Sequence, residues 1–562
     1  MPHYLSFKST KSRQTRAVRS GDYCSPMLQL RALAISFVFV IALSCGERGF
    51  AREKMQGTRH VVVIVLDGMR PDFVSVKNTP ALWTLAQEGV VFRNHHSVYP
   101  SATNVNGTAM VTGVYPGKNG VIANYVYRPD IDRKRSVLVE TPAVVNKGDE
   151  LSGGKYVASP TIAEVVQRAG GRAAIATTKT VGLLLNRQVD AGRQRSGVTL
   201  FAGKALPGDV LNPIVAALGP FPSASLQKDV WTTKAATDFL WKDGVPAFSL
   251  LWLGNPDLTQ HETAPGAPLA LAAIKATDEN LASVLSALDR QRMRETTDVF
   301  VVSDHGFSTI KRSIDLRKIL NEAGFAAKTE FTDEPKRGDI MLVGNGGSVL
   351  FYIEGHDSEV TRRLVEFLQQ TDFAGVIFTK EAMAGTFNLS EAKIDSRHAP
   401  DVVMAFRWDD SKNQFEVPGM IDADWQRKAG EGTHATLSRF DMHNTLIAAG
   451  PDFRRGEIVD LPSGNVDLAP TILRILGIRS PQQIDGRILS EAMTPPASLR
   501  EAAAGKANAE MPGLKPETKT IEATKDFPSG SWRQSLRISR VGSTVYLDEG
   551  NGEFSPKRSR GL

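Results

Sequence analysis

The sequence predicts an α/β fold with crossover helices, on three observations. Val61–Leu66 (VVVIVL) is a continuous β-branched run, the pattern of a strand buried on both faces of a parallel sheet. Strand-like and helix-like stretches alternate after it, as crossover connections require. Composition permits a large core: 41% of the 562 residues are hydrophobic and 23% charged, and only two are cysteine. That balance excludes global disorder, collagen-like chains and disulfide scaffolds. The length is roughly three to four average domains, which still suits one large core carrying an inserted subdomain.

The elements follow in order. Asn78-Thr79-Pro80 opens a helix that Gly89 closes. Thr161–Ala169 reads as a helix and Arg172–Ala176 as the strand after it. Ala247–Leu253 is a strand, Leu269–Leu288 a long amphipathic helix and Asp298–Ser303 a further strand. The rhythm then breaks over 310–430, where a strand at Ser348–Ile353 and a helix near Glu359–Gln369 sit among Gly- and Asp-rich joints. The expected organisation is a catalytic α/β domain in two parts, 52–309 and 431–495, around an inserted cap subdomain at 310–430. Ser438–Ala448 and Val466–Leu476 read as its closing elements. Residues 496–528 read as a linker rich in Ala, Lys, Glu and Pro. Ser531–Asp548 reads as a hairpin turning at Val541-Gly542-Ser543.

Residues 1–51 read as an export signal. Ala32–Ser44 is an apolar run of signal-peptide length behind Arg31, and Gly49-Phe50-Ala51 offers a cleavage site after Ala51. Met27 is a second possible start. Cys45, after Ala42-Leu43-Ser44, offers lipoprotein anchoring as the alternative, although Leu43 stands where small residues are usual. Cleavage after Ala51 removes Cys24 and Cys45, so any metal falls to His and carboxylates. The expected location is periplasmic or extracellular, with no membrane span left after cleavage. The formal charge of +6 is largely local: seven basic and two acidic residues of this segment supply +5. The remainder is near neutral, so no specific nucleic-acid binding is expected.

Functional groups of parallel sheets collect at the carboxyl ends of strands. Asp67 follows Val61–Leu66, Asp257 lies just past Ala247–Leu253, and Asp304 follows Asp298–Ser303 and is joined to His305. His261 stands four residues after Asp257, and His434 lies in Gly432-Thr433-His434. Three carboxylates and three imidazoles are the donors a pair of tetrahedral zinc ions takes. Thr103 is the expected nucleophile. Pro100 keeps its approach extended, and Asn104–Thr112 can begin a helix whose amino terminus favours an alkoxide or a phosphate. A bound divalent metal makes such a hydroxyl reactive at neutral pH. Ser101 is a competing hydroxyl, and an N-cap is the ordinary alternative for Thr103.

With these residues in view, the chain resembles the alkaline phosphatase superfamily, in particular the nucleotide pyrophosphatase/phosphodiesterase (type I phosphodiesterase) branch. The resemblance runs from about Val61 to Arg487. It is strongest over Tyr99–Asn124, including Met110-Val111-Thr112-Gly113-Val114-Tyr115-Pro116. Pro256-Asp257 with His261, Ser303-Asp304-His305-Gly306 and Gly432-Thr433-His434 also match. The resemblance implies an alkaline-phosphatase-like, mixed and mostly parallel sheet between helical layers. It implies two Zn2+ per chain, with Mn2+ or Co2+ possible. One would be held by Asp257, His261 and His434, the other by Asp67, Asp304, His305 and the Thr103 oxygen. Asn124 would donate to a phosphoryl oxygen. The expected activity is hydrolysis of small phosphodiester or nucleotide pyrophosphate substrates through a phospho-threonine intermediate.

Asn104-Val105-Asn106-Gly107 departs from the family's usual Phe-Pro-Asn-His and removes an aromatic group near the site. The Thr-Asn-x-Asn pattern is similar to that of phosphonoacetate hydrolases. Those relatives carry two cations for the substrate; Lys179 is a candidate for the first, but position 181 is Val. The alternatives are therefore phosphonoacetate hydrolase-like or phosphomonoesterase activity on the same site, or a catalytically silent envelope binding protein.

Overall fold

The computed structural model describes residues 59–187, 197–494 and 514–557. The segment read as an export signal, with Met27, Cys45 and the cleavage position, lies outside the described residues. All described residues fall within one compact unit, Lys54–Leu562. Among them, no helix is long and apolar enough to cross a membrane.

The central sheet has nine strands: β1 (His60–Leu66), β2 (Val90–Phe92), β3 (Ala173–Thr177), β4 (Gly197–Phe201), β5 (Lys204–Leu206), β6 (Phe248–Leu253), β7 (Thr297–Val302), β8 (Leu446–Ala449) and β9 (Glu457–Val459). Their order is β9-β2-β8-β7-β1-β6-β3-β4-β5. The four central strands β7, β1, β6 and β3 run parallel, with β4 parallel beside β3. β8 is antiparallel to both β7 and β2, and β5 antiparallel to β4. This is the mixed, mostly parallel sheet anticipated from the motifs. Alternate residues of β1 enter two different cores. Val61, Val63 and Val65 pack on one face with Met110, Ile175 and Trp252, and Val62, Ile64 and Leu66 on the other with Leu281 and Val284. A strand covered on both sides has no polar face to show, which is why β1 is a continuous apolar run.

The helices follow the sequence closely. Helix α1 (Pro80–Glu88) starts after Thr79 with Pro at its first position. Helix α2 (Thr103–Thr112) is buried throughout and ends at Gly113, whose φ of 70° suits a residue without Cβ. Helix α3 (Ile162–Arg168) opens with a capping box, Thr161 accepting from the Glu164 backbone while Glu164 reaches back to the Thr161 N–H. Helices α4 (Asp257–Thr263) and α5 (Pro268–Arg290) follow β6.

Over 308–433 the chain builds two further sheets. One has six strands, from Ala327–Lys328 to Val402–Phe406, and includes Ser348–Ile353 as expected, with the helix Ser358–Leu368 beside it. The other has four strands, in which Ser308–Ser313 pairs with Pro418–Ala423 and with Gly432–Thr433. At the carboxyl end, Gly530–Val541 and Thr544–Pro556 form a hairpin across Gly542-Ser543. Glu517–Phe527, read from composition as the end of a linker, is instead a third strand of that sheet. Its alternating half-buried and exposed residues carry the period-two signal, but the polar composition hid it.

Candidate active site

Strand order builds the site. Because β7, β1, β6 and β3 are consecutive neighbours, their carboxyl ends deliver Asp304, Asp67, Asp257 and Lys179 to one place. The Asp257 N–H donates to the Asp67 carbonyl at 2.9 Å, which ties two of these ends directly. His434 arrives by a different route. Ser308 pairs with Thr433 across the four-stranded sheet, so the residue after Thr433 comes beside the loop that holds His305. The two imidazoles stack with centroids 3.6 Å apart.

Two groups have ligand atoms lying mutually within 4.8 Å: Asp67, Asp304 and His305, and Asp257, His305 and His434. His305 is common to both. His261 belongs to neither, but its Nε2 lies 3.2 Å from Asp257 Oδ1, and its ring centroid is 5.1 Å from that of His434. Thr103 Oγ1 lies 3.4 Å from His305 Nε2. Thr103 is the first residue of α2, and its N-cap is Ala102. Ser101, the competing hydroxyl, donates to the Thr436 carbonyl at 3.0 Å. Asn124 accepts from the Asn104 N–H through Oδ1 at 2.9 Å, which leaves its amide nitrogen as the available donor.

The donor set fits divalent metal on three counts. Asp67 Oδ1, Asp257 Oδ1 and Asp304 Oδ2 are buried and have no hydrogen-bond partner; atoms of that kind call for an explanation. The opposite oxygen of each carboxylate is held. Asp67 Oδ2 accepts from Trp252 Nε1 at 2.7 Å, Asp304 Oδ1 from the Gly68 N–H at 3.0 Å, and Asp257 Oδ2 from Lys179 Nζ at 2.6 Å. Each imidazole is also oriented: Nδ1 meets the Gly432 carbonyl in His261 (2.9 Å), the Gly306 carbonyl in His305 (2.8 Å) and the Ser101 carbonyl in His434 (2.7 Å). A carbonyl only accepts, so Nδ1 carries the proton and Nε2 offers its lone pair, the arrangement of a preset metal ligand.

Burial and the neighbouring Asp304 push the Asp67 carboxyl well above its ordinary range. Burial acts the same way on Asp257, but His261 when protonated and the Lys179 ammonium outweigh it and hold that carboxyl well below its ordinary range. Burial and His305 keep the His434 imidazole neutral. Burial opposes the Lys179 ammonium, yet Asp257 and Asp67 outweigh it and raise its pKa.

Against this geometry, the family model for type I phosphodiesterase/nucleotide pyrophosphatase matches residues 61–411. The chain belongs to this family. It is accordingly a phosphoric ester hydrolase with an alkaline-phosphatase-like fold. Similar proteins include the bis(5′-adenosyl)-triphosphatase enpp4 of Xenopus laevis, 21% identical over 468 residues, covering 80% of this chain and 83% of the relative. Human ectonucleotide pyrophosphatase/phosphodiesterase family member 7 is 22% identical over 464 residues, covering 82% and 89%. Among solved structures, an inactive form of murine ectonucleotide pyrophosphatase/phosphodiesterase 5 in complex with AMP shares the fold, with a TM-score of 0.57 and 17% identity over 78% of this chain and 100% of that one.

Sequence reasoning missed several residues that shape the site. Trp252 lies inside an apolar strand, where only its N–H, which needs a partner when buried, hints at a role. Asn106 accepts from the Val98 N–H (2.7 Å) and from Asn465 Nδ2 (2.9 Å), and donates to the Val98 and Ala102 carbonyls. It thus braces the loop before Thr103. Asn465 also donates to the Asp304 carbonyl at 2.7 Å, and nothing in its local sequence signals that.

Proposed function

We propose that the protein is an exported, two-metal hydrolase of phosphodiester or nucleotide pyrophosphate bonds, with Thr103 as nucleophile. One observation carries the reading: three buried, unpartnered carboxylate oxygens converge with oriented imidazole Nε2 atoms, and one of these, in His305, lies 3.4 Å from the buried Thr103 hydroxyl at a helix amino terminus. Asp257, His261 and His434 would hold one ion, and Asp67, Asp304, His305 and Thr103 the other, with zinc the fitting metal and manganese or cobalt also compatible. Divalent ions bound there supply positive charge to the phosphoryl oxygens and lower the pKa of an adjacent hydroxyl or water.

The chain's own residues do the rest. Thr103 Oγ1 attacks phosphorus in line, its bond forming as the bond to the leaving oxygen breaks. The dipole of α2, which begins at Thr103, favours the negative charge that gathers there. The Asn124 amide donates to a non-bridging oxygen and stabilises it as charge develops. Water then attacks the phospho-threonine, releases the phosphoryl product and restores the hydroxyl.

The substrate class follows from charge. Val181 is fully buried and adds no cation for a terminal dianionic phosphoryl group. A diester carries one charge fewer and suits the site better. Nucleotide diesters are consistent with the substrate named for the Xenopus relative and the AMP bound by the murine one. Asn104 stands where an aromatic would stack on a base, so weak base preference is expected. The test is Thr103→Ala, which should abolish turnover while about two zinc ions per chain remain. Near-full activity in that variant would remove the assignment. Bis-p-nitrophenyl phosphate, p-nitrophenyl phosphate, the p-nitrophenyl ester of thymidine monophosphate and phosphonoacetate separate diesterase from monoesterase and phosphonatase action.

A further inference from the structure

The sequence offers Lys179 as a candidate cation for the substrate, yet the structure commits its ammonium elsewhere. Nζ lies 2.8 Å from Asp67 Oδ2 and 2.6 Å from Asp257 Oδ2, and the side chain is only 17% exposed. Its loop is tied on both sides. Thr177 Oγ1 donates to the Lys179 carbonyl at 2.6 Å, and Thr180 Oγ1 to the buried Glu140 at 2.9 Å. Asp67 and Asp257 belong to different ligand groups. Lys179 meets each through Oδ2, while the unpartnered Oδ1 of each faces the imidazoles, His305 from Asp67 and His261 and His434 from Asp257. Both ion pairs thus leave the Oδ1 atoms open.

The charge balance makes this arrangement consequential. Three buried carboxylates converge with three imidazoles whose orientation suits the neutral form. Among the described residues, Lys179 is the one ammonium or guanidinium bonded to them. We propose, on the basis of the two-metal reading, that Lys179 is a positioning residue and built-in counter-cation. It joins the carboxylates of the two ligand groups, stabilises the site before metal is loaded, and so moderates the affinity for the ions. Removing one partner of a buried pair leaves the other charge uncompensated. Bound dications compensate the same carboxylates, so losing Lys179 harms the metal-free protein more than the loaded one. By linkage, that difference reappears as tighter metal binding.

The experiment compares wild type, Lys179→Met and Lys179→Arg. It measures zinc affinity by chelator competition, thermal unfolding with and without zinc, and kcat and KM separately. Lys179→Met should bind zinc on the order of tenfold more tightly or better. Its Tm should fall in the metal-free form far more than in the zinc-loaded form, and Lys179→Arg should restore wild-type behaviour in both. Unchanged or weaker zinc binding overturns the proposal. So does an equal Tm loss in both forms, or a raised KM with nothing else altered, which would make Lys179 a substrate contact. If Lys179→Met accumulates only with zinc in the medium, the proposal stands; if it stays insoluble with zinc while Lys179→Arg does not need it, the role is structural and the proposal falls. A wild-type protein that binds no zinc would instead defeat the two-metal reading itself.

Discussion

Each imidazole of the site has its proton committed to a main-chain carbonyl, and each carboxylate has one oxygen pinned and one bare. Orientation is therefore set before any ligand arrives, and single side chains are expected to have separable effects. The Asn124 Oδ1 is occupied by the Asn104 N–H, which points its amide nitrogen away from that bond. Asn124→Ala should lower kcat by about 10²–10³-fold, the usual cost of one oxyanion donor, with two zinc ions retained. Steady-state kinetics beside metal analysis checks this; an unchanged kcat would show that the amide makes no contact in the transition state. The residue types were legible because Asp and His at strand ends have few other reasons to recur together. The pinning partners were not. Gly68 and Trp252 act through a backbone N–H and a core indole, and Asn465 holds the Asp304 main-chain carbonyl from a distant loop; none of these marks itself in the local sequence.

The elements were legible where their burial is simple. β1, β6 and β7 are apolar runs because both faces are covered, and α3 announces itself with a capping box. Short strands such as Gly432–Thr433 were not, since two residues carry no period, yet this one delivers His434. The turn after His305 is equally tight. A Cβ at Gly306 would run into the Phe440 carbonyl oxygen and lie 2.7 Å from that of His443. Backbone atoms cannot rotate aside, so Gly306→Ala should destabilise the fold by about 1–3 kcal/mol or more. It should also displace His305, whose Nδ1 is held by the Gly306 carbonyl. A lower Tm together with less than two bound zinc ions is the expected result; full zinc content would mean that the loop relaxes without moving the ligand.

At the scale of the whole molecule, the carboxyl-terminal sheet is packed into the rest. Trp532 is fully buried and donates to the Gly385 carbonyl at 2.9 Å, and the Gln534 side chain bonds both the N–H and the carbonyl of Ile377. Leu536, Ile538 and Leu547 share a core with Tyr99, just ahead of Thr103. Trp532→Ala should cost about 3–5 kcal/mol, read as a fall in Tm by calorimetry; a loss under 1 kcal/mol would mean that this sheet is a dispensable appendage. From the residues alone come the α/β class and the choice of Thr103 and six Asp and His positions as candidates, because buried strands and ligand chemistry restrict residue type at each position. The folded arrangement settles the rest: which oxygen of each carboxylate stays bare, that His305 adjoins both candidate ligand groups, and that Lys179 pairs with Asp67 and Asp257. Those outcomes depend on strand order and on contacts between residues far apart along the chain, and no local pattern of residues encodes them.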